Sequence, residues 1–159
     1  MSIEIPLTKG YVTVVDDEDV FLVEYRWHSS VQKRGVYAMR MASRKQKPRK
    51  HILLHREIMK HVMGRDLLPK EWIDHIDGNP LNNRRSNLRI CDNRLNQANA
   101  KHHVDAKSPL KGTCFDKQKG KWKAYSNRKH LGHFDTPEEA HEAYCLAALD
   151  EYGEFARFE

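Results

Sequence analysis

Apolar and polar residues trade places along "IPLTKGYVTVV", residues 5 to 15, around a Lys9-Gly10 turn, and this period-2 pattern in a β-branched run predicts a hairpin. "DDEDVFLVEY" breaks the period. There Asp16 or Asp17 can cap a short helix whose acids sit at its positive end, with Val20, Phe21, Leu22 and Val23 as an apolar side. "RWHSSVQKRGVYAMRM" returns to a hairpin, turning near Lys33 to Gly35. The basic loop "SRKQKPRK" separates it from "HILLHREIMKHVM", which is predicted to start extended and to become helical near His55. From Asp74 to Leu88 the signals are strand, Asp-Gly turn, Asn-rich loop and strand. "DNRLNQANAKHH" then reads as a helix with Asp92 at its N-cap, completing a β-β-α unit.

"HHVDAKSPLKG" has no periodicity and supplies Ser and Pro, which places a linker at residues 102–109 between a region 1–101 and a second module 110–159. In that module "LKGTCFDK", "KWKAYS" and "RKHLGHF" are three short strands. Thr136-Pro137-Glu138-Glu139 is a helix start with cap, N1 proline and capping-box glutamate, and Gly153 is its stop. Ala140, Ala143, Tyr144, Ala147 and Ala148 recur at helical spacing, a stripe of small residues that can lie closely on a three-stranded sheet. The fold class expected is α+β: small hairpins, a β-β-α region, and a three-stranded sheet packed on one helix.

Composition sharpens this picture mainly through where the charges fall. The 159 residues carry 28 Lys and Arg against 22 Asp and Glu, a net charge of +6 that points mildly to a polyanionic partner. Residues 26–50 hold nine basic residues and no acid. Residues 108–133 hold Lys111, Lys117, Lys119, Lys121, Lys123, Arg128 and Lys129 against Asp116 alone, whereas residues 134–159 hold eight acids and only Arg157. Such segregation suits a binding face and its back. Cys91, Cys114 and Cys145 are odd in number with no CxxC, so neither a disulfide framework nor a four-thiolate zinc site is expected. No charged-then-apolar leader and no apolar run of about 18 residues is present, which predicts a cytoplasmic protein without membrane insertion.

The chemistry concentrates in "WIDHIDGNPLNNRRSNLRI", residues 72 to 90. Hydrolysing a phosphodiester requires a nucleophile made from water, neutralisation of phosphate charge and stabilisation of the leaving oxygen, and an imidazole with a hard cation supplies all three. Asp74 offers a carboxylate oxygen and Asn96 an amide oxygen, donors suited to Mg2+ or Mn2+. Asp74 and His75 are adjacent, so in extended backbone they face apart, and a shared site needs the strand to end or twist at this pair.

These residues, "DHIDGNPLNNRRSNL" followed by Asn96, resemble the HNH nuclease motif in the variant found in phage and intron-encoded homing endonucleases; the motif region is 72–101. The resemblance implies that His75 is the general base, that Asp74 and Asn96 hold one divalent metal ion, and that Asn87 holds the loop and orients the base. Asn96 stands where many members have a final His. "IPLTKGYVTVVDDEDVF" and "LHREIM" also look like the N-terminal part of such nucleases. Among the other histidines His55 is set apart, because "LLHRE" can bring an imidazole near the site. Arg84, Arg85 and Arg89 are candidates to hold flanking phosphates.

In the second module "GKW", "LGHFDTPEEAHEAY" and "AALDEYG" resemble the Apetala, or ethylene-response-factor, type of DNA-binding domain. That family lays its sheet in the major groove, which implies DNA contacts from Lys111, Lys121, Trp122, Lys123, Arg128 and Lys129. The expectation is a metal-dependent endonuclease on double-stranded DNA that nicks one strand per engagement, acting as a monomer with a homodimer as the alternative. Its rivals are a non-catalytic DNA-binding regulator with a degenerate motif and an RNA-acting enzyme.

Overall fold

A computed structural model of the chain describes residues 1–43, 45, 47–48, 50–102 and 108–159. Arg44, Gln46 and Arg49 of the expected basic loop, and residues 103–107 of the expected linker, lie outside the described residues. The chain divides into two compact units, Met1–Asn93 and Arg94–Glu159.

In the first unit β1 (Ser2–Pro6) and β2 (Val12–Asp16) form the first hairpin, closed by a 3-10 turn at Thr8–Gly10. β3 (His28–Gln32), β4 (Gly35–Met41) and β5 (His51–Leu53) form an antiparallel sheet in chain order, and β5 runs directly into α1 (Leu54–Met63). β6 (Trp72–His75) pairs antiparallel with β7 (Leu88–Cys91). The core draws Ile5 and Val15 from the first hairpin, Trp27 from just before β3, Ala38 from β4, Leu54, Ile58 and Met59 from α1, and Ile73 and Leu88 from the last strand pair. Arg40 ties the layers at the edge, with its guanidinium 4.2 Å from the Tyr25 ring centroid and 3.0 Å from Glu57.

The helix expected after β2 is a 3-10 helix, Asp17–Glu24, and its cap is missing: no side-chain hydrogen bond caps it, because the Asp16 carboxylate accepts from the Arg85 backbone N–H instead. Nor is the apolar side as expected. Side chains three apart eclipse in a 3-10 helix, so Asp19 and Leu22 form the inward ridge while Val20, Phe21 and Val23 are exposed.

The second unit contains most of α2 (Asn93–Ala98), then β8 (Thr113–Asp116), β9 (Lys121–Ser126) and β10 (Lys129–Phe134) as an antiparallel sheet with β9 central, and α3 (Pro137–Tyr152). Thr136 and Glu139 form the full capping box, with Pro137 behind it. Ala140 and Ala148 are fully buried and Ala124 of β9 likewise, so the small stripe does bring helix and sheet into close approach. Gly112, at φ 78°, lies under the Tyr144 ring, where any side chain would overlap it. Residues 94–102 belong to this unit rather than to the first. Lys111 Nζ donates to the carbonyls of Ala98, Ala100 and Arg157, and the His102 amide donates to Glu159 O.

Candidate active site

The strand ends where the site requires it to. His75 is the last residue of β6, and Gly78 N–H donates to His75 O at 2.8 Å with Gly78 at φ 70°, a left-handed conformation that glycine takes without strain. Asp74 and His75 are both buried. Asp74 pairs across the ladder with Arg89, whose Nε donates to Oδ2 at 2.9 Å.

The loop between β6 and β7 is held by its own amides. Asn87 Oδ1 accepts from the Asp77 backbone N–H at 3.0 Å, while its Nδ2 donates to Asn82 O and Asp77 Oδ1. Asn79 Oδ1 accepts from Leu81 N–H, and Asp77 accepts from Asn79 N–H and Asn82 Nδ2. Burial opposes ionisation of Asp77, but the hydrogen bonds from Asn79, Asn82 and Asn87 outweigh it and hold this carboxyl below its ordinary range. So many side-chain amides in one place therefore have a local use. Those of Asn79 and Asn87 satisfy backbone groups that a tight loop leaves without a ladder partner, and that of Asn82 braces the Asp77 carboxylate.

His75 is kept neutral. Burial pushes its imidazole below the ordinary histidine range, against the opposing pull of Asn83, Asp77 and Asp74. Its Nε2 lies 3.2 Å from Asn83 Oδ1. An amide oxygen only accepts, so Nε2 carries the proton and the lone pair of the neutral ring sits on Nδ1. On the other side the His55 ring packs edge-on against His75, centroids 5.2 Å apart at 80°, and Tyr37 reaches both rings. Burial, then His75, then Arg56 lower the His55 pKa to about 3, so this second imidazole is also neutral. Burial and the Asp74 charge raise Tyr37, against Arg34.

Sequence reasoning singled out Asp74, His75, Asn87 and His55, and the structure gathers them at one end of the β6–β7 pair. It missed Asn83, Thr13 and Tyr37. Thr13 carried a readable signal, a polar residue in phase with Val15 on the inward face of β2. Asn96 lies in α2, in the second unit.

The basic candidates divide. Arg84 is exposed and donates to Ser2 Oγ. Arg85 and Arg89 are turned inward, contrary to the phosphate-holding expectation: Arg85 clamps the fully buried Asp19 and Arg89 pairs with Asp74. In the second unit Lys111 is likewise spent on three carbonyls, its pKa lowered to about 8 by burial first and by Arg157 next. Lys121 and Trp122 lie on opposite faces of β9, because neighbouring strand residues face apart. Trp122 shares the face of the buried Ala124 and Ser126 and packs on Phe115, 5.1 Å between centroids. Lys121, Lys123 and Tyr125 take the other face, where Lys123 meets Asp116 at 3.4 Å and Lys121 meets Asp135 at 3.1 Å. Arg128 and Lys129 are exposed at the β9–β10 turn.

The donor chemistry suits a hard divalent cation. Asp74 places a buried carboxylate, a hard oxygen donor of the kind such a cation takes, next to the His75 imidazole; among the described residues no three His, Cys, Asp or Glu are grouped to hold a metal. No helix of the described residues is long and apolar enough to cross a membrane.

Comparison with known proteins places these features in a context. Residues 53–98, from the end of β5 to the end of α2, match the family model described as HNH endonuclease. The chain is also similar to Protein 3.8 of Escherichia phage T7, 33% identical over 115 residues that make up 70% of this chain and 90% of the phage protein. No solved structure matches.

Proposed function

This chain belongs to the HNH endonuclease family, and on that premise we propose that it is a phage-type, metal-dependent endonuclease that hydrolyses phosphodiester bonds of double-stranded DNA with some preference for site. The observation that carries the reading is the buried His75 at the end of β6, with its Nε2 held 3.2 Å from Asn83 Oδ1. A ring so held presents a basic Nδ1 at neutral pH in one orientation, as a general base requires.

In the proposed reaction His75 Nδ1 accepts a proton from water as the water oxygen bonds to phosphorus. The bond from phosphorus to the 3′ oxygen breaks on the opposite side, and that oxygen leaves with a proton drawn from solvent. The products are a 3′-hydroxyl and a 5′-phosphate. When bound, a divalent cation such as Mg2+ or Mn2+ would neutralise charge on the phosphate and on the leaving oxygen. Asp74 would hold it, with Asn96 as the second donor on the strength of its sequence spacing from the strand pair. Arg89 keeps the Asp74 carboxylate aimed across the ladder. His55 and Tyr37 wall the imidazole from bulk water on one side.

The second unit is proposed as the DNA reader of the Apetala type. Its three-stranded sheet carries Lys121 and Lys123 on the face away from the buried Ala124, Arg128 and Lys129 are exposed at the β9–β10 turn, and its acidic helix lies behind. One Asp-His-Asn-Asn set and no internal repeat favour a monomer that cuts one strand per engagement. Supercoiled plasmid with Mg2+, and again with chelator, tests the proposal. Nicked circles carrying 5′-phosphate ends should accumulate first and only with the cation. Cleavage undiminished by chelator, or none under any divalent ion, would overturn it.

A further inference from the structure

The N-terminal hairpin grips the loop that follows β6. Val14 N–H donates to Leu81 O at 2.9 Å and Asn83 N–H donates to Val14 O at 2.8 Å, so β2 and residues 81–83 run as a short parallel bridge. Inside that bridge lie two polar side chains, Thr13 and Asn83, each with 0% exposure. Polar groups so buried persist only if every donor and acceptor is used.

Their proton count closes in one way. The Thr13 hydroxyl donates to Leu81 O at 2.8 Å, so its oxygen meets Asn83 as an acceptor. Asn83 Nδ2 donates to Thr13 Oγ1 at 2.7 Å and to Pro80 O at 3.1 Å, which uses both amide hydrogens. Turning the amide over would set its oxygen against the Pro80 carbonyl. Oδ1 is thereby forced to face His75 Nε2, and it can only accept there.

We infer that Thr13 and Asn83 are positioning residues for the reaction: through the chain Leu81 O, Thr13 Oγ1, Asn83 and His75 Nε2, the N-terminal hairpin selects the tautomer and ring orientation of His75. The inference rests on the reading of His75 as the base. It ties β2 to the catalytic centre, and it gives Thr13 a role that valine, equal in shape and already abundant in this strand, cannot fill. Second-sphere partners of this kind commonly alter activity by roughly 10- to 100-fold.

Long-range proton-nitrogen correlation spectra of the whole chain, labelled at histidine ring nitrogens and recorded without added metal near pH 8, report the tautomer directly. The wild type should show His75 as a single Nε2–H tautomer with that proton protected from solvent exchange. An Nδ1–H ring, or nitrogen shifts averaged between the tautomers, overturns the inference with no variant needed. In Asn83→Ala the shifts should move to averaged values and the protected proton should be lost. Thr13→Val should do the same in part, and Thr13→Ser should restore what Thr13→Val loses. Single-turnover cleavage by Thr13→Val should fall roughly 10-fold or more with DNA affinity kept. Wild-type spectra in both Asn83→Ala and Thr13→Val refute the relay. If the tautomer behaves as stated but His75→Ala still cleaves, the relay stands and the assignment of the base fails.

Discussion

Arg85 lies in the most Asn- and Arg-rich part of the motif loop, yet its guanidinium faces the protein. Nε reaches Asp19 Oδ2 and Nη2 reaches Asp19 Oδ1, both at 2.9 Å, and Asp19 has 0% exposure. Arg85→Ala would strand that carboxylate in the interior, and breaking a buried pair from one side costs about 3–5 kcal/mol. The first unit has 93 residues, a size at which 1 kcal/mol moves the melting temperature by about 4–8 °C. A loss of roughly 12 °C or more is expected. Asp19→Ala should cost less, because the Arg85 side chain is 30% exposed and its freed cation can turn to water. The double variant should recover much of the loss, since removing both partners strands nothing. Thermal melts of the four proteins at neutral pH give the coupling directly. If Arg85→Ala melted within about 2 °C of the wild type while its DNA affinity lost about one unit of salt slope, Arg85 would be a phosphate contact and the reasoning would be refuted.

The pH dependence of stability has a definite sign. His55 is protonated in the unfolded chain below about 6.5 but stays neutral in the fold down to about 3. The unfolded state therefore binds the extra proton in that window, and stability falls as pH drops through it, by up to about 1.4 kcal/mol per pH unit for this one group. His55→Leu should flatten the curve of melting temperature against pH between 6 and 4, and an unchanged slope would contradict the burial of a neutral ring. On the second unit, Lys129→Gln should reduce the salt slope of DNA binding by about one and leave the melt in place. Lys111→Gln should do the reverse, lowering the melt with little change in slope, because its ammonium is already bonded to three carbonyls.

Local chemistry made much of this fold readable. The Asp77-Gly78 turn after an apolar strand, the Lys9-Gly10 and Lys33-to-Gly35 turns, and the Thr136 capping box each specify a boundary within a few residues of themselves, and the elements form there. What stayed hidden depends on partners far away in sequence. Asp19 and Arg85 are 66 positions apart and Thr13 and Asn83 are 70 apart. Nothing near Arg85 says whether its charge is spent inside the protein or kept for a ligand. The helix expected after β2 forms as a 3-10 helix, but its expected cap failed for the same reason: Asp16 looked like a cap because caps are local, whereas its actual partner is the amide of Arg85. In the site, the Asp-His pair and the Asn-rich loop were legible as chemistry. The tautomer of His75, which decides the nitrogen that acts, required the buried amide of Asn83 in place.

The central claim is that His75 takes a proton from water. It is tested most directly by single-turnover cleavage of a DNA substrate by His75→Ala, with binding of the same DNA measured alongside. The expected result is a rate at least about 10²-fold lower, the loss that accompanies removal of a general base, with affinity near that of the wild type. Cleavage by His75→Ala at the wild-type rate would contradict the claim.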